Sequence, residues 1–131
     1  MTFWRRLFGL EQSASLVPGR GWIVPVVGES NYQGVLESLY REHGGTEHDV
    51  KVTAGLVPED GNAFDSNAVR VEIDSCFVGY LRRDMALQYR TALGQFAGQC
   101  SAKIVGGFEQ EDGTSAFFGV KLNLAWPPRI K

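Results

Sequence analysis

The sequence predicts an α+β domain, mainly β with two helices. The expected order is β-α-β-β-β-α-β-β, packed as a small, strongly twisted sheet or partly open barrel. Three observations lead there. Short β-branched runs alternate with clusters of turn formers. After residue 20, two segments carry apolar residues at helical spacing. The 131 residues include 16 glycines and 5 prolines, a turn-rich composition in a chain of one-domain length.

Each element follows in order. Trp22–Val27 (WIVPVV) is apolar and β-branched, so it reads as a strand, with Pro25 suggesting an edge or a bulge. Tyr32, Val35, Leu36, Leu39 and Tyr40 fall at helical spacing and predict a helix over Tyr32–His43, capped by Asn31 and stopped by Gly44-Gly45. Asp49–Pro58 alternates around Val50, Val52, Ala54 and Leu56 and predicts a strand. Glu59–Ser66 (EDGNAFDS) is a loop of turn formers. Ala68–Ile73 and Cys76–Leu81 form a hairpin about the tight Asp74-Ser75 connection. Arg83–Phe96 is the second helix, with an apolar stripe of Met85, Leu87, Tyr89, Ala92, Leu93 and Phe96, of which Leu87 and Tyr89 lie off centre. Ser101–Phe108 and Ala116–Leu124 make a final hairpin around the acidic turn Glu109–Ser115, and Trp126-Pro127-Pro128 closes the domain.

Residues 1–20 read as an N-terminal appendage and linker, and residues 21–131 as the domain. Met1–Leu10 sets Phe3, Trp4, Leu7, Phe8 and Leu10 opposite Arg5 and Arg6 on a short helical repeat. Such a segment either docks on a partner or a membrane surface or is a terminus that packs on the domain or stays disordered.

Composition excludes several classes. Hydrophobic residues make up 44% and charged residues 21%, as in a globular chain that buries a core. No apolar run reaches the ~18 residues of a spanning helix, and no signal peptide is apparent. Cys76 and Cys100 do not form a secreted-type framework, so a reduced, cytoplasmic setting is expected. A net charge of −2 argues against strong nonspecific nucleic-acid binding. It still permits a small pocket that grips one strand end.

Catalytic and metal signatures are missing. There is no phosphate-binding glycine loop, no GxSxG and no HExxH. His43 and His48 have spacing that suits a weak metal site, but solvated histidines beside acids are the commoner case. The sequence therefore predicts no enzyme activity, no metal and no cofactor.

The informative run is Pro58–Ala86. Asn62, Asp65, Ser66 and Asn67 can cap and turn the backbone before the strand at Ala68. Phe64 is a large aromatic in a polar loop, where an exposed ring can stack on a partner's π-face. Gly79 allows close approach of a backbone or a ligand. Tyr80, Arg82 and Arg83 put an aromatic and two cations at a strand end.

This arrangement resembles the HIRAN domain family, in particular its standalone bacterial members. The matching stretches are Val26-Val27-Gly28, Tyr32, the run Asn62-Ala63-Phe64-Asp65-Ser66-Asn67-Ala68-Val69-Arg70-Val71, and Val78-Gly79-Tyr80-Leu81, followed by a helix carrying Met85 and Ala86. The resemblance spans residues 22–125. It implies an OB-like barrel that captures the free 3′-hydroxyl end of single-stranded DNA, in DNA repair or replication-fork processing. On that basis Phe64 stacks on the terminal base, Asp65 accepts a hydrogen bond from the 3′-hydroxyl, and Asn62 shapes the pocket. Tyr80, Arg82 and Arg83 meet base or phosphate, Phe117 is a second stacking surface, and Asn31 and Tyr32 complete the site. The sequence departs from the fork-remodelling members at Ser30-Asn31-Tyr32, where they carry an Arg-Tyr-Tyr type segment, and at Ala63, where they usually carry Pro. These departures and the net charge motivate a second expectation: a non-enzymatic protein-interaction domain of the same fold with no DNA pocket, its partner held through residues 1–20.

Overall fold

The computed structural model describes residues 13–107 and 117–131. The N-terminal helical repeat and the acidic turn Glu109–Ser115 lie outside these residues. The described elements are β1 (Ala14–Ser15), β2 (Val24–Val27), a 3₁₀ turn (Glu29–Tyr32), α1 (Gln33–Glu42), β3 (Val50–Pro58), β4 (Val69–Ile73), β5 (Cys76–Leu81), α2 (Arg83–Leu93), β6 (Gly98–Val105) and β7 (Gly119–Asn123).

Six strands form a closed antiparallel barrel in the order β6-β3-β4-β5-β2-β7, and β7 returns to pair with β6. The sequence predicted a partly open barrel. Closure comes from the β6–β7 ladder, which runs in register from Ser101↔Asn123 to Val105↔Gly119, so no long unpaired edge remains among these strands. Among the described residues the fold is mainly β with two α-helices, as the alternation of short strands implies.

The core is where strand alternation places it. Val50, Ala54 and Leu56 of β3, Val69, Val71 and Ile73 of β4, and Ala102 and Ile104 of β6 all point into the barrel. Helix α1 contributes Leu36, Leu39 and Tyr40. The Asp74-Ser75 turn has both residues at positive φ, 51° and 65°, the twist a two-residue hairpin needs.

Several expectations are corrected. Residues 13–20 are not all linker. Ala14–Ser15 pairs in parallel with Gly98–Gln99, and Leu16 is buried in the core. The missing side chain of Gly98 makes room for Leu16, whose Cδ1 would lie 2.7 Å from a Cβ there. The chain after β7 returns across the same segment: Ala125 N–H donates to Val17 O, and Lys131 N–H to Ser15 O. Pro25 is in a barrel strand and not at an edge. It is tolerated because β2 pairs with β7 at Val24–Pro25 and switches to β5 only at Val26–Val27. Asn31 does not cap α1. It sits inside the 3₁₀ turn, and Tyr32 occupies the cap position without a side-chain bond. Helix α2 ends at Leu93, and its buried face is Ala86 and Tyr89, with Met85 and Leu93 packed beside them. Leu87 and Phe96 face outward. Cys100 is buried, and Cys76 is exposed at the start of its strand.

Candidate functional site

The loop between β3 and β4 is built from local turn chemistry. The Asn62 side-chain oxygen accepts the backbone N–H groups of Phe64 (2.8 Å) and Asp65 (3.0 Å). One Asp65 carboxylate oxygen accepts the N–H of Asn67 at 2.9 Å. These are the Asx turns expected of such residues. They present the Phe64 ring to solvent, 89% exposed, beside a carboxylate whose side chain is only 20% exposed.

Helix α2 holds this loop from the side. Arg83 donates to Phe64 O at 2.6 Å, and its Nε lies 3.6 Å from the second Asp65 oxygen. Arg90 bonds Ala68 O and pairs with Asp60, whose other oxygen accepts from Gln95 at 2.9 Å. From below, Glu59 accepts from Asn62 at 2.9 Å and from the Tyr80 hydroxyl at 3.3 Å, and it lies 3.4 Å from Arg70. Arg70 in turn pairs with Glu72 and stacks over the Phe77 ring. Burial, together with the Glu59 charge, pushes the Tyr80 hydroxyl above its ordinary pKa, so it stays a donor.

Asp65, Asn67, Arg82, Arg83, Asp84 and Leu87 line an open concavity of about 650 Å³ next to Phe64. This volume falls in the range of small-ligand sites. Arg82 and Asp84 form a two-bond ion pair at 2.6 and 2.9 Å, which lowers the Asp84 pKa. The rim is therefore close to neutral, with two guanidinium groups facing two carboxylates.

The structure brings some predicted residues together and separates others. Phe64, Asp65, Arg82 and Arg83 share one rim, and Asn62 lies beneath it as the turn-forming residue. Tyr80 and Tyr32 are on the adjoining wall, where β2 pairs with β5 through Val27↔Tyr80. The Tyr80 hydroxyl is taken by Glu59, and Asn31 is exposed on the 3₁₀ turn. Phe117 is placed elsewhere. It is 80% exposed and lines a different concavity with Gln33, Glu37 and Arg41 of α1, while Phe118 packs on Tyr40 at 5.2 Å between ring centroids.

Sequence reading missed Glu59, Asp60, Arg90 and Leu87. Glu59 and Asp60 had a usable signal, being carboxylates at the mouth of a turn-rich loop. Arg90 and Leu87 come from a helix far along the chain and gave none. His43 meets Asp74 at 2.7 Å and links the end of α1 to the β4–β5 turn. Among the described residues no three His, Cys, Asp or Glu side chains converge on one point. No described helix is long and apolar enough to cross a membrane. No family model matches the chain, and no curated protein or solved structure matches it either.

Proposed function

We propose that this chain is a non-catalytic module that captures the 3′-hydroxyl end of single-stranded DNA, in the setting of DNA repair or replication-fork processing. The observation that carries the reading is the Phe64–Asp65 pair. An exposed ring stands beside a carboxylate with one oxygen fixed by Asn67 and the other turned toward an open concavity and the Arg83 guanidinium. The resemblance of this loop to the HIRAN family supports the same assignment.

The chemistry is simple. The ring stacks on the terminal base, worth about 1–3 kcal/mol and tolerant of sequence. The terminal 3′-hydroxyl donates to the second Asp65 oxygen, a charge-assisted bond worth about 1.5–3 kcal/mol. Arg83 balances the carboxylate and meets the last phosphate. An internal nucleotide has no hydroxyl to donate, and a 3′-phosphate brings negative charge against Asp65 and Asp84.

Fluorescence anisotropy with single-stranded DNA carrying a free or a phosphorylated 3′ end tests this. The free end is expected to bind about tenfold or more tighter, given the bond energies above. Asp65→Asn keeps an oxygen acceptor for Asn67 and should abolish the preference, and Phe64→Ala should weaken both ends. Equal affinity for the two ends overturns the reading. The near-neutral rim, with Arg82 held by Asp84, favours a second reading as a protein-interaction surface centred on Phe64 and Leu87. Absence of oligonucleotide binding at low salt would favour that alternative.

A further inference from the structure

We propose that the outer wall of β3, β6 and β7 is a second binding surface, which takes the phosphodiester backbone of a single-stranded nucleic acid. The strand register carries the argument. Lys51 of β3 lies directly opposite Lys103 of β6, and Lys103 lies directly opposite Lys121 of β7. Directly opposed residues project from the same side of a sheet. Their neighbours Val50, Ala102, Ile104, Val120 and Leu122 are buried in the barrel, so the three ammonium groups form one row on its outside.

Three of the chain's four lysines are in this row, in a protein of net charge −2. Like charges directly opposed across strands destabilise a sheet, so the row works against the fold and calls for a use. Among the described residues it is neutralised only in part. Asp49 lies 3.4 Å from Lys103. Lys51 and Lys121 are exposed and have no ion pair among the described residues.

The surroundings identify the anion. The Trp22 ring lies 5.4 Å from the Lys103 ammonium, so an aromatic face stands beside the cations. The next row on the same face is Thr53↔Ser101↔Asn123, uncharged and able to hydrogen-bond phosphate oxygens through its hydroxyls. Cations along a track with an aromatic platform beside them are the chemistry of single-strand binding. The row spans two strand spacings, roughly 10 Å, long enough to meet more than one phosphate of an extended strand. Lys51 is the second residue of β3, and the Phe64–Asp65 loop follows the strand's far end. Seven residues at ~3.3 Å each put roughly 23 Å of strand between Lys51 and Pro58, so the row sits toward the opposite end of β3 from the end-capture loop.

The test uses a single strand of about 15 nucleotides with a phosphorylated 3′ end and every protein in a Phe64→Ala background, which together remove the hydroxyl bond and the stacking of end capture. Anisotropy titrations from about 50 to 200 mM salt compare the wild-type lysine row with K51Q/K121Q and with K51Q/K103Q/K121Q, each checked for folding by circular dichroism. Each phosphate contact adds about −0.7 to the logarithmic salt slope. The wild-type slope should exceed that of the double variant by about 1.4 and that of the triple by about 2. Across this salt range the wild type should then lose about twentyfold more affinity than the triple variant. The double variant leaves Lys103, Trp22 and Asp49 intact, which guards against a folding defect. Unchanged slopes in folded variants overturn the proposal, as does the absence of binding to the blocked strand at the lowest salt. Lysine-dependent binding to phosphatidylserine vesicles without binding to the oligonucleotide would assign the row to a membrane surface and also overturn it.

Discussion

Gly79 shows how one residue can be legible in type but not in purpose. The sequence marks it as a point of close approach by a backbone or a ligand. The structure identifies the neighbour as β2: a Cβ at Gly79 would lie 2.5 Å from Val27 O and 2.6 Å from Val26 Cγ1. Its φ is 151°, and it follows a register shift that leaves Val78 without a partner on β4. Tyr80 follows this bulge, and its hydroxyl donates to Glu59 at 3.3 Å. Gly79→Ala combines a strained backbone with a steric clash, each costing about 1–3 kcal/mol. The expected loss is roughly 2–4 kcal/mol, or about 10 °C in Tm. Thermal melts check this, and a shift of under about 2 °C would show that β2 gives way easily. Burial pushes the Cys100 thiol up to about 12, consistent with a small apolar core residue. Nothing in the spacing of the sequence distinguished Cys100 from the exposed Cys76.

The loop from Glu59 to Asn67 behaves as one element, and Glu59 is its base. Its carboxylate joins Asn62, Tyr80 and Arg70, and Asn62 in turn fixes the N–H groups of Phe64 and Asp65. Glu59→Ala should leave the barrel folded, because Arg70 keeps Glu72, but it frees the Asn62 side chain. The expected stability loss is about 1–2 kcal/mol, the scale of a partly exposed bond to a charged group. The amides of Phe64 and Asp65 should exchange with solvent faster while core amides hold their protection. Hydrogen exchange followed by nuclear magnetic resonance separates these outcomes, and uniform loss of protection would mean that Glu59 supports the whole barrel. The turns inside this loop were legible because Asn62 and Asp65 act within three residues of themselves. The clamp by Arg83, Arg90 and Gln95 was not, since it depends on how α2 packs. The outward placement of Leu87 and the burial of Tyr89 were set by the same packing, which overrode the stripe read from spacing. Two-residue β1 had no local signal at all, because its pairing depends on Gly98 leaving space for Leu16.

At the scale of the whole barrel, the β6–β7 closure is backed by bonds that fasten the segment after β2 to the start of β7. Gln33 bonds both the carbonyl oxygen and the N–H of Phe118, at 2.9 Å each. Glu29 accepts the N–H of Val120 at 2.8 Å. The sequence offered β1 as linker and β7 as a longer strand, so this fastening was invisible until the strands were placed. It has a pH signature. Burial disfavours the Glu29 carboxylate and raises its pKa, with the Val120 hydrogen bond opposing the shift. A folded-state pKa above the ordinary value of 4.5 means that the folded chain holds this proton more tightly than the unfolded one. The stability it contributes is therefore full below pH 4.5 and is lost as the pH rises through the folded-state value. Glu29→Gln keeps an oxygen to accept from Val120 and removes the titration. Its stability should gain on the wild type from about pH 4.5 upward and then level off. The other acids titrate in both proteins and cancel in the difference. Urea melts of the two proteins at steps between about pH 4 and 7 measure this directly. A difference that stays flat with pH would show that Val120 and solvent stabilise the carboxylate enough to offset its burial. A difference of opposite sign would mean that the ionised Glu29 stabilises the folded chain.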